Sequence, residues 1–330
     1  MAPNFTLSFL LSLYKSQLLT WLPYPTTSFA GQTVIVTGAN IGLGLEAARH
    51  FTRLNASKVI IACRSLSKGE AAARDIESST GRKGVLEVWA LDLQNYASVQ
   101  EFAKKAQALD RLDIVVENAG IATQDFTLAE GAESTITVNV LSTFLLALLL
   151  LPKLKSDAAR LGTTPKLCIV SSEVHVLPAF TERNAPEGEI INTLSSKETA
   201  EMSQRYTLSK LLEVLVVRRW AELHPQPYPV VINLVTPGFC ESGLMREMPS
   251  VANRMIKWLL WARSTEYGSR TLLHAASVGK ESHGVFLRDC SLWPASAFAE
   301  SEEGRETGRR VWEEVSERLE KAVPGVTGNL

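Results

Sequence analysis

Thr33-Val34-Ile35-Val36-Thr37-Gly38-Ala39-Asn40-Ile41-Gly42-Leu43-Gly44 is the stretch on which the fold turns. Its first five residues are all β-branched and favour a pleated strand. They run directly into a glycine-rich turn with the spacing Gly38-x-x-x-Gly42-x-Gly44, after which a helix is expected from about Leu43 to Leu54. A strand feeding a Gly-rich turn and a helix offers free backbone N–H groups and a positive helix end to a pyrophosphate. Gly38, Asn40, Ile41, Gly42 and Gly44 are therefore candidate cofactor-binding positions. A plain glycine turn is the alternative, and the strand before and helix after favour the phosphate reading.

Outward from this unit the chain alternates short β-rich runs with longer helical stretches. Strands are expected at Lys58–Ala62, Val85–Leu91, Ile114–Glu117, Lys166–Ser171 and Val230–Thr236. Ser67-Lys68-Gly69-Glu70 has the form of a capping box opening a helix to about Ser78, and Ser98-Val99-Gln100-Glu101 opens or reinforces another. Long helices fall near Ala132–Leu151 and Met202–Leu223. The apolar run Phe144–Leu151 stops at Pro152, is too short to span a bilayer and is expected to be a buried helix. This alternation calls for an α/β fold: a doubly wound parallel sheet with helices on both faces, in one domain over residues 31–330. Glu173–Arg205 breaks the rhythm, and Pro178 and Pro186 discourage a continuous helix there. Ser301–Ala322 is charged and is expected to be an exposed C-terminal helix.

Tyr206-Thr207-Leu208-Ser209-Lys210 carries the chemistry, with Ser172 upstream at a strand end. A Tyr and a Lys four apart share one helix face. A phenol titrates near 10, and moving it to neutrality takes roughly 4 kcal/mol of preferential phenolate stabilisation. A fixed ammonium and a cationic oxidised nicotinamide would supply that. The set is proton-transfer machinery beside a hydride carrier.

Twenty positions after Gly44, where an NAD-binding site usually has an acid, stands Arg64. A guanidinium binds a ribose 2′-phosphate that an acid would repel, so NADP(H) is favoured over NAD(H); an exposed Arg at a strand end is the alternative. Asp92, after the third strand, is placed either to accept the adenine amino group or to cap a helix. Asn118-Ala119-Gly120 supplies small residues where the chain would pass the cofactor.

The bulk numbers exclude several classes. The 330 residues are 45% hydrophobic, enough for a substantial core. Lys and Arg number 34 against 35 Asp and Glu, a net charge of −1, which gives no attraction to nucleic acid. Cys63, Cys168, Cys240 and Cys290 are scattered and fit buried thiols in a reducing, cytoplasmic setting better than disulfides. No His-x-x-x-His or Cys-x-x-Cys supports a metal site. Residues 1–30 form an apolar segment, expected to be helical, that Lys15 interrupts. It lacks a basic n-region and a secretory cleavage signature. A helix covering the body of the fold and a peripheral membrane contact both remain open for it.

Taken together these residues resemble the short-chain dehydrogenase/reductase family over about Gly31 to Leu287. Thr37-Gly38 through Gly44 is similar to its cofactor motif, Thr236-Pro237-Gly238 to its Pro-Gly turn, and Asn139, Ser172, Tyr206 and Lys210 to its catalytic tetrad. Glu117-Asn118-Ala119-Gly120 matches the Asn-Asn-Ala-Gly motif except at its first residue. The resemblance implies a single-domain Rossmann fold, with Pro237 and Gly238 at the cofactor. In the implied mechanism Ser172 orients the substrate oxygen and Tyr206 passes the proton. Lys210 holds the nicotinamide ribose and lowers the Tyr206 pKa, and Asn139 supports a relay water. Of the Ser171–Ser172 pair, the family pattern gives the role to Ser172; His175 is expected to pack or lie at the surface. Tyr206 lies 34 positions after Ser172, a wider gap than in the simplest members, and similar insertions accompany monomeric carbonyl reductases. Oligomeric state therefore stays open.

A narrower resemblance is to fungal secondary-metabolite short-chain reductases, through Ser28-Phe29-Ala30-Gly31-Gln32-Thr33, Gly44-Leu45-Glu46-Ala47-Ala48-Arg49-His50, Thr236-Pro237-Gly238-Phe239-Cys240 and His283-Gly284-Val285-Phe286-Leu287. Retinol-dehydrogenase-like members look related through Ala62-Cys63-Arg64. The family places a substrate lid at residues 239–264, where Met245, Met248, Met255, Trp258 and Trp261 offer adaptable apolar contact or pack on the body of the fold. The expected partner is a bulky hydrophobic ketone or alcohol, such as a polyketide or terpenoid intermediate. A membrane-held lipid or retinoid-type alcohol dehydrogenase is one alternative. The other is a non-catalytic dinucleotide-sensing regulator, disfavoured by the presence of Ser172, Tyr206 and Lys210 together.

Overall fold

The computed structural model describes residues 7–241, 243 and 261–330. The chain begins with α1 (Leu7–Tyr14), continued by a π-helical turn at Lys15–Leu19. Then follow β1 (Thr33–Thr37), α2 (Gly42–Arg53), β2 (Lys58–Cys63), α3 (Leu66–Thr80), β3 (Leu86–Ala90), α4 (Tyr96–Gln107) and β4 (Ile114–Glu117). A small hairpin, β5 (Leu128–Ala129) and β6 (Ala132–Glu133), leads into α5 (Ser134–Ile136), a π-helical stretch Thr137–Ser142, and α6 (Thr143–Leu161). The chain continues through β7 (Lys166–Val170), α7 (Ile190–Leu194), α8 (Met202–Leu223), β8 (Val231–Thr236), α9 (Thr265–Ser277), β9 (Phe286–Arg288), β10 (Ser291–Trp293), α10 (Ala297–Glu300) and α11 (Glu302–Ala322).

The main sheet runs β10-β9-β8-β7-β4-β1-β2-β3. All pairs are parallel except β9 with β10. The order reverses at β1, so a crevice opens between the C-terminal ends of β1 and β4, the place where doubly wound sheets bind ligands. The alternation of side chains along each strand divides the interior in two. Ile35, Ile60, Val115, Leu167 and Ile232 join residues of α4, α6, α8 and α11 in one core. Val34, Val36, Ile61, Val116 and Cys168 join residues of α2, α3 and α9 in the other. Strands buried on both faces appear in the sequence as unbroken apolar runs, which is why β1, β2, β4, β7 and β8 are legible there; β3 is an edge strand, mostly half-buried.

Several expectations need correction. The sheet gains β9 and the antiparallel β10 at one edge. Helix α3 is capped by Ser65, which accepts from the Lys68 N–H, and not by Ser67; Asn95, not Ser98, caps α4. Pro152 does not end its helix: α6 continues to Leu161 with the proline inside. The continuous stretch Ser134–Leu161 is long and apolar enough to cross a membrane, but 94% of its most apolar window is buried inside the fold. Helix α11 is not simply exposed, since Val311, Trp312, Val315 and Leu319 are buried. Between Ser172 and Tyr206 the backbone makes short turns at Glu173–Val176 and Thr181–Asn184 before α7, as the two prolines indicate. Cys63, Cys168 and Cys240 are buried free thiols and Cys290 is half-buried.

The N-terminal segment packs on the edge of the sheet and on the ends of the stretch 239–264. Leu13 and Leu22 are buried. The Gln17 amide donates to the carbonyls of Phe239 (2.7 Å) and Trp261 (3.1 Å). Arg263 donates to Ser16 O (2.7 Å) and Asp289 (2.8 Å), and Arg288 to the Ser12 hydroxyl and carbonyl, each at 2.8 Å. The two ends of the stretch 239–264, where a lid is expected, meet where Cys240 pairs with Arg263; Met245, Met248, Met255 and Trp258 lie outside the described residues.

Candidate active site

The glycine turn sits at the crevice. Gly38 has a φ of +65°, and a β-carbon on it would lie 3.0 Å from Ala119 Cα. On Gly44 a β-carbon would lie 2.6 Å from Asn118 Nδ2 and 2.8 Å from Gly38 O. Helix α2 therefore starts hard against the end of β4. The Asn118 side chain donates to Thr37 O (2.9 Å), and the backbone N–H groups of Asn118 and Ala119 both donate to Thr37 Oγ1 (3.0 and 2.9 Å). These bonds clamp the ends of β1 and β4 together. At the N-terminus of α2, Ile41 is extended and 62% exposed, and no side chain caps the helix. Uncapped N–H groups at a helix start are the donors a phosphate needs.

Arg64 follows β2 and is exposed, with no hydrogen bond or ion pair among the described residues. Asp92 accepts from the Gln94 N–H (3.0 Å), so it shapes the turn before α4 while Asn95 does the capping. Thr236 Oγ1 accepts from the N–H groups of Gly238 and Glu173, each at 3.2 Å. This ties the Pro237-Gly238 turn to the segment after Ser172. These residues form a cradle whose shape and donor set fit a dinucleotide.

Beside it lie the residues from which proton transfer is expected. Tyr206 and Ser172 are half-buried and Lys210 is buried. Ser172 shares a hydrogen bond with the Tyr206 hydroxyl. Lys210 Nζ stands 5.8 Å from the Tyr206 ring centre and donates to Val170 O at 2.9 Å. Ser171 turns the other way, donating to Lys210 O (3.2 Å). The buried imidazole of His175 holds the turn through Nδ1, 2.7 Å from Ser172 O, and accepts from the Ser296 N–H at Nε2 (3.1 Å). Its pKa is lowered to about 4 by burial, so it is neutral and packs rather than reacts.

Asn139 sits in the π-helical stretch, an irregularity common at functional sites. Its side chain accepts from the Ile121 N–H and donates to Ile121 O and Ser209 Oγ, each at 2.9 Å. The two bonds to Ile121 brace the loop after β4 and the third ties Asn139 to α8 one residue before Lys210; none reaches Lys210 itself.

Lys210 has a different close partner, one that sequence reasoning did not single out. Its ammonium donates to Glu213 Oε1 at 2.7 Å, with both side chains buried. The spacing Lys210-x-x-Glu213 was the available signal. Burial pushes the Tyr206 phenol up, Lys210 pulls it down, Glu213 pushes it up again and the Ser172 bond lowers it; the result lies above its ordinary value. The expected lowering by Lys210 is present but outweighed, chiefly by burial of the phenol and further by the Glu213 carboxylate beside the ammonium.

Among the described residues no group of three His, Cys, Asp or Glu is placed to hold a metal ion. Residues 32–163 match the short chain dehydrogenase family profile. The chain is 50% identical over 320 residues to the short chain dehydrogenase/reductase dmxR8 of Cryptosporiopsis sp., covering 96% of this chain and 98% of that protein. It is 43% identical over 329 residues to the short-chain dehydrogenase anuD of Penicillium roqueforti, covering 96% and 84%. A protein of solved structure from Mycobacterium paratuberculosis superposes with a TM-score of 0.68 at 27% identity, over 91% of this chain and 98% of its own. The chain belongs to the short-chain dehydrogenase/reductase family and is an oxidoreductase of that family.

Proposed function

We propose that the protein is an NADP(H)-dependent enzyme of fungal secondary metabolism that interconverts a ketone and a secondary alcohol on a bulky hydrophobic substrate. The observation that carries this reading is the convergence of Ser172, Tyr206 and Lys210 beside the uncapped start of α2. The α2 N-terminus, Gly38, Gly44 and Asn118 would hold the pyrophosphate and adjoining ribose, and Arg64 the 2′-phosphate. Lys210 would bind the nicotinamide ribose next to Pro237-Gly238. When bound, the nicotinamide supplies or accepts the hydride. Ser172 then orients the carbonyl oxygen by a hydrogen bond, and Tyr206 gives that oxygen a proton in reduction or takes it back in oxidation. The Met- and Trp-rich composition of the lid stretch and the fungal relatives support the choice of substrate class.

Replacing Tyr206 by Phe should lower kcat about 10²–10⁴-fold while NADPH binding is kept. A variant with full turnover would refute the assignment. Metabolite comparison between the source organism and a strain lacking the gene identifies the substrate: a compound two hydrogens poorer than the normal product marks a reductase, and one two hydrogens richer an alcohol dehydrogenase.

A second feature favours peripheral contact with a membrane. Leu7, Leu11, Leu19 and Trp21 are 73%, 61%, 80% and 72% exposed on the N-terminal segment, and Trp261 beside them is 52% exposed. Lys15 is the sole charged residue before Glu46. Such a face suits an interfacial segment. Co-sedimentation with lipid vesicles should be lost in a Leu11→Glu, Leu19→Glu double variant. Equal sedimentation of variant and wild type, or none of either, would sink this reading.

A further inference from the structure

Glu213 lies behind the catalytic Lys210, and behind it stands a second buried acid. Glu117 closes β4, paired in register with Ile169 of β7, and is 4% exposed. Neither of its carboxyl oxygens has a hydrogen-bond partner, and Glu213 Oε2 has none either. Val115, two residues earlier on β4 and so on the same face, packs in one core with Leu212 and Val216 of α8, which puts Glu117 on the sheet face that α8 covers. Unpartnered carboxyl oxygens there are costly if both acids are ionised, since a lone ammonium would then face two negative charges away from water. The cost is relieved if the two carboxyls keep one proton between them.

We propose that Glu117 and Glu213 form a two-carboxyl, one-proton pair that sets the net charge around Lys210 and thereby the acidity of Tyr206. Glu213 is a positioning residue that acts through Lys210, and Glu117 keeps the shared proton from leaving. The proposal rests on the reading of Tyr206 as the proton-transfer group. The groups facing the pair are Lys210 and Tyr206 from α8 and Ser171 after β7, whose hydroxyl donates to Lys210 O. With Glu213 ionised, the Lys210 charge is cancelled and the phenol holds its proton. With Glu213 protonated, the ammonium acts on Tyr206 unopposed and the phenolate is favoured. Burial raises both acids, Glu213 to about 7 and Glu117 well above the carboxylate range with the Glu213 charge adding to it. The proton thus sits on Glu117 first, and Glu213 switches near neutrality.

The test needs no substrate. In the NADP+ complex of the full chain, Tyr206 ionisation is followed by ultraviolet difference titration, with a Tyr206→Phe variant as the blank. Glu213→Gln should lower the Tyr206 midpoint by about one pH unit or more. An unchanged midpoint would overturn the proposal, including the case in which the variant loses only stability. A buried carboxylic-acid band in the infrared spectrum of the wild type at neutral pH should vanish in Glu117→Gln. Its absence from the wild type would equally overturn the proposal and requires no variant to fold. Failure of the chain to reduce any ketone with NADPH would instead strike the proposed activity and leave these titrations readable.

Discussion

Asn118 packs its side-chain amide against Gly44 so closely that a β-carbon on the glycine would sit 2.6 Å from Nδ2. The same amide holds Thr37 O, so α2, β1 and the end of β4 meet through one side chain. Gly44→Ala must push Asn118 away or shift α2. Overpacking of this kind costs about 1–3 kcal/mol. We expect a lower Tm in thermal unfolding and an NADPH Kd weakened about tenfold or more in fluorescence titration.

Arg64 presents the opposite case, an exposed side chain with no partner among the described residues. Arg64→Ala should leave Tm unchanged. Loss of a charge-assisted phosphate contact corresponds to about 10–100-fold in kcat/KM for NADPH, with little change for NADH. Equal losses for both cofactors would show that Arg64 does not read the 2′-phosphate.

Arg205 immediately precedes Tyr206 and is 1% exposed, with Nε 3.4 Å from Glu133 Oε2. Glu133 also caps α5, accepting from the N–H groups of Thr135 (2.8 Å) and Ile136 (3.3 Å). Removing the charge of one partner strands the other. Glu133→Gln should therefore destabilise the fold by about 3–5 kcal/mol. Chemical denaturation measures this directly, and a change under 1 kcal/mol (on the order of an exposed pair) would mean Arg205 is not held as an ion.

His175 makes acid stability testable. Its folded pKa of about 4 lies below the ordinary 6.5, so the unfolded chain takes up the proton first. The stability this neutral imidazole contributes is present above 6.5 and is lost as pH falls through 4. For a shift of that size the loss is about 3 kcal/mol. Glu213 runs the other way: its folded pKa is raised, so its share is full below the ordinary carboxylate value and is lost as pH rises through about 7. The His175 share is read as the difference between wild type and His175→Gln, whose unfolding free energies should converge as pH drops from 6.5 toward 4. Parallel curves would contradict it.

The central strands and the Ser172, Tyr206, Lys210 and glycine-turn positions were legible because burial on both faces, helical spacing and a strand-turn-helix order leave local patterns. Phe286–Arg288 and Ser291–Trp293 left none: each strand is three residues, and the turn between them uses Asp289 and Cys290 at positive φ instead of glycine. Two serines competed for the start of α3, and only the backbone selects Ser65. Pro152 misled because the surrounding core outweighs one missing hydrogen bond. Glu213 escaped notice because a Lys and a Glu three apart ordinarily mark a wet surface. Glu117 showed only as a mismatch to a motif, since its meaning depends on a neighbour from another strand.

The bonds from Ser16 and Gln17 to Arg263, Phe239 and Trp261 have a practical consequence for work on this enzyme. A chain begun after Pro25 would lose the Ser16 partner of Arg263 at the neck of the 239–264 stretch, next to Pro237, whose carbonyl Arg263 also holds at 3.2 Å. Such a shortened protein would fall silent for architectural reasons, and its silence would be misread as the loss of an address. The N-terminal segment is masonry for the ends of the 239–264 stretch, and that role and membrane contact are separable only by substitutions on its outward face.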